Sequence, residues 1–210
     1  MTLVKVCGLT QLEDARVAVE AGADWLGFVL SGESPRRVDP ARVAEIGAAL
    51  PGVPLVAVLV SPSPQQALDL ARRAGAHRVQ LHRTDPASWP SDFALPVTFA
   101  IAVREDGVAP GSLPPAGPLV LLDTAHANRA GGTGRTFGWS HAVPIARERD
   151  VMIAGGLDDA NVAQVIERVR PFGVDASSRL ERAPGLKDPE KVRRFVAAVR
   201  ACDARLGTHA

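Results

Sequence analysis

Short apolar runs alternate with helix-forming stretches along the whole chain. The runs are continuous and do not alternate with polar residues, which is typical of parallel strands that are covered on both faces. Eight runs are predicted as strands: Leu3–Cys7, Trp25–Leu30, Pro54–Val60, His77–Leu81, Val97–Val103, Leu119–Asp123, and the apolar starts of the segments Val151–Asp159 and Phe172–Glu181.

Helix signals follow most of these runs. The pairs Asp39–Pro40, Ser63–Pro64 and Asp188–Pro189 each place a capping side chain before a proline at the first helical position. Two connections lack such signals: Thr84–Asp92 is weakly helical at best, and Gly107–Gly117 is rich in glycine and proline. We therefore expect little helix in these two connections.

The later connections carry their own signals. A glycine-rich loop, Gly131–Gly134, is expected to lead to a helix near Ser140–Glu148. After the seventh strand, Asp158 or Asp159 is placed to cap the next helix. The connections are short and no linker stands out, so residues 1–210 are predicted to form one domain.

The order of elements predicts an α/β fold, a single-domain (β/α)8 TIM barrel. The alternative is an open doubly wound sheet, which usually carries a glycine-rich phosphate loop after its first strand. Here the first turn is Cys7–Thr10 and has no such fingerprint. The barrel is therefore the favoured fold.

Two consecutive strand ends are suited to phosphate. Gly155 and Gly156 would let backbone N–H groups approach a ligand closely, and Ser177 and Ser178 add hydroxyls and the first amides of a short helix. In barrels, a phosphate site commonly follows strands seven and eight. The alternative is that the glycine pair only forms a tight turn.

Composition excludes several classes of function. The net charge of +1 gives no reason to expect a nucleic-acid partner or an anionic membrane surface. No apolar run approaches the roughly 20 residues of a membrane span, and the N-terminus is typical of a strand and not of a signal peptide. The two cysteines, Cys7 and Cys202, are predicted to be free thiols in a cytoplasmic protein, without a zinc site. The oligomeric state does not follow from the sequence.

Barrel enzymes carry their reacting groups at the carboxyl ends of the strands. Here those ends supply Cys7 on the first strand, His82 on the fourth, Asp123 on the sixth and Asp175 on the eighth. A thiol and a carboxylate across one barrel opening could work as base and acid on a single small molecule.

The chain resembles the phosphoribosylanthranilate isomerase family through motifs that occur in order over nearly its whole length. These are Lys5–Thr10, Gly22–Asp24, Gly27–Phe28, Ser34–Arg36, Gln80–His82, Leu122–Asp123, Gly131–Gly134, Ala154–Leu157 and Pro184–Asp188. The resemblance implies a cytoplasmic enzyme of tryptophan biosynthesis that uses neither cofactor nor metal. It would convert N-(5′-phosphoribosyl)anthranilate to 1-(2-carboxyphenylamino)-1-deoxyribulose 5-phosphate by an Amadori rearrangement.

The resemblance also implies the roles of individual residues. Cys7 matches the family's general base, Asp123 its general acid, and Arg36 the residue that contacts the anthranilate carboxylate. Taken alone, Cys7 could be a small buried apolar residue, and Asp123 could be a helix cap or part of an ion pair.

The remaining site residues keep two interpretations each. Asp175 is expected to contact sugar hydroxyls or to pair with Lys5, and His82 to line the mouth or to be a structural hydrogen-bonded residue. Arg179 is assigned with the phosphate group, although its side chain could simply be solvated.

Two positions near the site depart from the family pattern. Arg83 and Arg179 stand where the family usually has glycine. They leave two alternatives open: another sugar-phosphate isomerase or epimerase on the same barrel, including the related histidine-pathway isomerase, or a barrel that binds ligands without catalysis.

Overall fold

The computed structural model describes residues 1–104, 106–109, 111–123 and 137–207. Within these residues, eight parallel strands close into a barrel, because each strand pairs with the next and the last pairs with the first. The strands are β1 Leu3–Cys7, β2 Trp25–Val29, β3 Leu55–Val60, β4 Arg78–His82, β5 Val97–Arg104, β6 Leu119–Asp123, β7 Val151–Ala154 and β8 Gly173–Ala176. The predicted barrel is confirmed, and the strand bounds differ from the prediction by one residue at several ends.

Six α-helices of the described residues surround the barrel. They are α1 Leu12–Ala21, α2 Pro40–Ala49, α3 Pro64–Arg73, α4 Phe137–Glu148, α5 Val162–Val169 and α6 Pro189–Gly207. The predicted caps of α2 and α3 are present: Asp39 accepts a hydrogen bond from the backbone N–H of Ala41, and Ser63 forms a reciprocal capping box with Gln66. At α6, the Asp188 carboxylate accepts from the first backbone N–H groups of the helix.

The predicted cap of α5 is wrong. This helix begins at Val162, three residues after Asp159. The Asp158 carboxylate instead accepts from the backbone N–H of Ala160 in the turn before the helix, and Asp159 pairs with Arg194 at 2.9 Å. Both carboxylates are thus used before the helix starts.

The two connections that lack helix signals also lack α-helix in the structure. Between β4 and β5 there is a single 3-10 turn, Pro86–Ser88. Between β5 and β6, the described residues contain a two-residue strand, Gly107–Val108, that pairs antiparallel with the end of β5. The predicted loop Gly131–Gly134 lies outside the described residues, and the helix expected near Ser140 starts earlier, at Phe137.

Side chains alternate along each strand between the barrel interior and the surrounding helices. On β1, Val4 and Val6 belong to the large apolar core that the helices cover. Lys5 and Cys7 point the other way, into the barrel, where a smaller apolar cluster lies. The interior also holds four fully or nearly buried polar side chains: Lys5, Gln80, Thr98 and Asp175. This polar interior leads to the carboxyl ends of the strands. Among the described helices, none has the length and apolarity needed to cross a membrane.

Candidate active site

A cavity of about 350 Å³ opens at the carboxyl ends of the strands. All ten residues predicted for the site line it: Cys7, Arg36, His82, Asp123, Gly155, Gly156, Asp175, Ser177, Ser178 and Arg179. A larger cavity of about 600 Å³ lies at the opposite ends, among Arg78, Trp89 and Phe172, and none of the ten residues lines it. The predicted chemistry is therefore gathered at the carboxyl mouth, where parallel strands bring their last residues together.

Cys7 ends β1 and is 7% exposed. Its neighbour in register on β2 is Gly27. A Cβ atom built on Gly27 would lie 2.8 Å from the Cys7 sulfur and 2.9 Å from Lys5 Nζ. The absence of a side chain at Gly27 therefore leaves the space that the thiol and the ammonium group occupy.

Lys5 and Asp175 form a buried ion pair. They are neighbours in register on β1 and β8, and Lys5 Nζ donates a hydrogen bond to Asp175 Oδ1 at 3.0 Å. Burial alone would lower the pKa of Lys5, but attraction to Asp175 and Cys7 outweighs it, so that this pKa is raised. Lys5 therefore keeps its charge, and the pairing with Asp175, the second of the two interpretations of that residue, is present.

The charges around Cys7 act in opposite directions. Burial raises the pKa of the Cys7 thiol, and the Asp175 carboxylate adds to the rise. Lys5 is the strongest opposing group, and Lys187 also opposes the rise. The sum is a raised pKa, so the thiolate depends on the neighbouring cations.

Arg36 lies in the connection between β2 and α2 and is held by Glu181. Its Nε and Nη2 atoms donate to the two carboxylate oxygens of Glu181, each at 2.7 Å. The Arg36 side chain is 24% exposed. Since the bidentate pair uses Nε and Nη2, the edge of the guanidinium that carries Nη1 is not engaged by Glu181.

Glu181 also binds a second cation. Lys187 Nζ donates to its Oε1 at 3.0 Å, and the two residues face each other across a short antiparallel hairpin, Glu181–Ala183 with Leu186–Lys187. Burial alone would raise the pKa of Glu181, but hydrogen bonds from Arg36 and Lys187 hold it below its usual range. One buried carboxylate thus pairs with two cations beside the cavity.

Glu181 and Lys187 were missed as site residues. Both belong to stretches noted in the sequence, one at the end of the phosphate segment and one within Pro184–Asp188. The hairpin that joins them has no apolar run to reveal it. A lysine and a glutamate in short polar segments usually indicate solvent-exposed positions.

The predicted phosphate residues lie together at the ends of β7 and β8. Gly155 and Gly156 have φ angles of 102° and 71°, a left-handed conformation that glycine adopts without a steric penalty. Ser178 begins a 3-10 turn, Ser178–Leu180, that Ser177 precedes. Both loops line the same cavity.

Arg83 and Arg179, the two residues that depart from the family pattern, differ in backbone conformation. Arg83 has φ 52°, the left-handed conformation in which a glycine is unstrained, whereas Arg179 is not among the residues with positive φ. The Arg179 side chain is 61% exposed, and its Nε lies 3.6 Å from the carboxylate of Asp158. The backbone of Arg83 is therefore strained, because its conformation favours glycine, whereas the backbone of Arg179 does not have that conformation.

His82 has features of both of its predicted roles. It lines the cavity, and its Nε2 lies 2.9 Å from Nε2 of Gln80. Burial, and secondly the charge of Lys5, lower the pKa of His82. The ring is therefore neutral near pH 7.

Among the described residues, no group of three or more histidine, cysteine or acidic side chains is arranged to hold a metal ion. What the fold and the cavity define is a (β/α)8-barrel enzyme with its site at the carboxyl ends of the strands.

The family follows from comparison with known proteins. Residues 4–198 match the family described as N-(5′-phosphoribosyl)anthranilate (PRA) isomerase. A relative named N-(5′-phosphoribosyl)anthranilate isomerase, from Rubrobacter xylanophilus, is 43% identical over 206 residues, which cover 96% of this chain and all of the relative. The chain belongs to the N-(5′-phosphoribosyl)anthranilate isomerase family and is an isomerase.

Solved structures agree with this assignment. The phosphoribosyl anthranilate isomerase from Thermotoga maritima has a TM-score of 0.79 and 33% identity, over 96% of this chain and all of that one. A phosphoribosyl anthranilate isomerase in complex with reduced 1-(o-carboxyphenylamino)-1-deoxyribulose 5-phosphate has a TM-score of 0.80 and 32% identity, with the same coverage.

Proposed function

We propose that the chain performs the Amadori rearrangement of N-(5′-phosphoribosyl)anthranilate in tryptophan biosynthesis, with Cys7 as general base and Asp123 as general acid. The observation that carries the proposal is the shared cavity, in which a thiol at the end of β1 and a carboxylate at the end of β6 both line one opening. Two strands, β7 and β8, separate them around the barrel. This spacing lets two groups act on different atoms of one sugar.

The first step opens the ribose ring. Asp123 donates a proton to the ring oxygen while the bond between that oxygen and C1 breaks. The lone pair of the anthranilate nitrogen forms a double bond to C1, which gives an iminium ion and leaves Asp123 as a carboxylate. General acid catalysis of this kind contributes about 10²–10⁴-fold to a rate.

The second step moves a proton from C2. The Cys7 thiolate takes this proton and becomes a thiol, and the bonding electrons form a C1–C2 double bond as the iminium nitrogen regains its lone pair. The resulting enol becomes the ketone when its hydroxyl proton is lost and C1 gains a proton. The proton given to the ring oxygen and the proton taken from C2 are thus both assigned to side chains of this chain.

The other lining residues are assigned to binding. Arg36 offers its Nη1 edge to the anthranilate carboxylate, while Glu181 holds the opposite edge. The backbone of Gly155, Gly156, Ser177 and Ser178, with the Arg179 side chain, receives the 5′-phosphate. Asp175, whose Oδ1 accepts from Lys5, directs its other oxygen to a sugar hydroxyl, and His82 lines the wall beside it.

The test measures kcat and KM of Cys7→Ala and Asp123→Asn, with Cys202→Ala as a control that removes the other thiol. We expect kcat to fall by about 10²–10⁴-fold in the two site variants while KM changes little. Cys202 is a buried residue of α6 whose thiol faces α5, and it does not line the cavity, so its variant should keep normal turnover. Near-normal turnover of Cys7→Ala would end the assignment of the base. Complementation of a tryptophan auxotroph that lacks the isomerase tests the place in metabolism.

A further inference from the structure

Lys5 is a fully buried cation whose position the proton transfers do not explain. It lies two residues before Cys7 on β1, so both side chains point into the barrel. Its Nζ and the Cys7 sulfur both lie within 2.9 Å of the point where a Cβ of Gly27 would stand. The ammonium group and the thiol therefore share one small space.

Charged groups reach this space from several elements. Asp175 enters from β8 and binds Lys5, Lys187 enters from the hairpin, and Arg36 comes from the connection after β2. His82 and Asp123 line the opposite side of the same cavity. Lys187 and Arg36 both bind Glu181, whereas the near neighbours of Lys5 are a carboxylate and the thiol. Among these cations, Lys5 is the one that acts most strongly on Cys7.

We propose that Lys5 is a positioning residue that holds its ammonium group beside the Cys7 sulfur and stabilises the thiolate, with Asp175 keeping that ammonium group charged and in place. The inference rests on the proposed role of Cys7 as base. Gly27 is part of the arrangement because any larger residue would separate the two groups. The simpler interpretation is that Lys5 and Asp175 form an ion pair that serves stability alone.

The two interpretations differ in how Cys7 titrates. The measurement is the pH titration of Cys7 by the ultraviolet absorbance of its thiolate, in a Cys202→Ala background so that one thiol remains. In Lys5→Met, which keeps most of the length of the side chain without its charge, the pKa of Cys7 should rise by about one to three pH units. In Asp175→Asn it should fall, since the amide oxygen still accepts a hydrogen bond from the ammonium group while the charge that opposes the thiolate is gone. An ion pair that serves stability alone would leave both titrations unchanged.

A second comparison covers the case in which Lys5→Met does not fold because Asp175 is left buried without a partner. The double variant Lys5→Met with Asp175→Asn leaves no unpaired buried charge, and it should titrate about one to three pH units above Asp175→Asn alone. Equal titrations of these two variants would overturn the proposal. Arg179→Met is the matched control: it removes an exposed cation from the same mouth and should leave the titration unchanged.

The pH dependence of kcat/KM separates this proposal from the proposed function. If both hold, the acid limb of the profile moves with the titration of Cys7 in each variant. A titration that moves while the acid limb stays would contradict Cys7 as the base and uphold the coupling to Lys5. An unmoved titration in an enzyme that Cys7→Ala inactivates would contradict the role of Lys5 alone.

Discussion

Two buried lysines at the same barrel mouth behave in opposite ways. Lys5 and Lys187 are both 0% exposed, and each donates to a carboxylate at 3.0 Å, Lys5 to Asp175 and Lys187 to Glu181. The pKa of Lys5 is nevertheless raised, whereas that of Lys187 is lowered. Neither burial nor hydrogen-bond length explains the difference, because both are the same.

The difference follows from the like charge of Arg36 beside Lys187. Burial lowers the pKa of both lysines, and each is attracted to one carboxylate and to Cys7. Lys187 shares Glu181 with Arg36, whose like charge lowers the pKa of Lys187 further. A cation among acidic groups can stabilise a thiolate, whereas a carboxylate among cations can hold a guanidinium towards a ligand. Four substitutions test this contrast, from the largest expected effect to the smallest.

Glu181→Gln removes the charge that two cations share. Breaking a buried ion pair by neutralising one partner should lower the free energy of unfolding by about 3–5 kcal/mol, measured by denaturant titration near pH 7. Asp158→Asn is the control: it removes the partner of the exposed Arg179 and should cost less than about 1 kcal/mol. An equal cost for the two variants would remove the contrast between buried and exposed pairs.

The same variant has a pH signature. The pKa of Glu181 in the folded protein lies below its usual range, so the unfolded chain binds its proton more readily. The stability that this carboxylate contributes is complete above the pKa of the unfolded state and is lost as the pH falls through the lower pKa of the folded state. The difference between the parent protein and Glu181→Gln should therefore shrink on acidification. A constant difference would mean that the effect is steric.

Arg36→Met tests whether Glu181 holds the Arg36 guanidinium towards the substrate. If Arg36 pairs with the buried anthranilate carboxylate of the substrate, its loss should lower kcat/KM by the equivalent of about 2–5 kcal/mol. The penalty should shrink for a substrate analogue without the anthranilate carboxylate. If both substrates suffer equally, Arg36 serves only to neutralise Glu181.

Gly27→Ala crowds the space that Lys5 and Cys7 share, and so tests their arrangement. The new Cβ would lie 2.8 Å from the Cys7 sulfur, too close without a shift, and overpacking of this kind costs about 1–3 kcal/mol of stability. Gly207→Ala is the control, because nothing lies within 4 Å of a Cβ there. Combining Gly27→Ala with Cys7→Ala should recover part of the loss. If the stability losses of the two substitutions are strictly additive, the new Cβ does not crowd Cys7.

The contrast between the two clusters also marks what the sequence could predict. The eight strands follow from local apolar runs, and the ten lining residues follow from strand ends and family motifs, which need no tertiary information. The pairing of Glu181 with Lys187 depends on a hairpin of two very short strands, and Asp14 of α1, far away in the chain, accepts a hydrogen bond from the backbone N–H of Lys187. The pairing of Lys5 with Asp175 was predicted as one of two alternatives, because adjacent strands in a closed barrel fix their register. The α5 start was missed because the loop uses both candidate caps before the helix begins.

The smallest effect is expected at Arg179, the exposed cation of the same mouth. Its 61% exposed side chain pairs with Asp158 at 3.6 Å, so Arg179→Ala should change the free energy of unfolding by less than about 1 kcal/mol. If its charge also attracts the substrate phosphate, inhibition by inorganic phosphate should weaken by about two- to fivefold at low ionic strength, the size of an exposed charge contact. The effect should disappear at high salt, since a solvated charge is screened within roughly 3 Å at 1 M. Unchanged inhibition at low salt would mean that the backbone of Gly155, Gly156 and the serines binds phosphate without Arg179. Weaker inhibition that persists at high salt would mean that the contact between Arg179 and phosphate is more buried than this geometry provides.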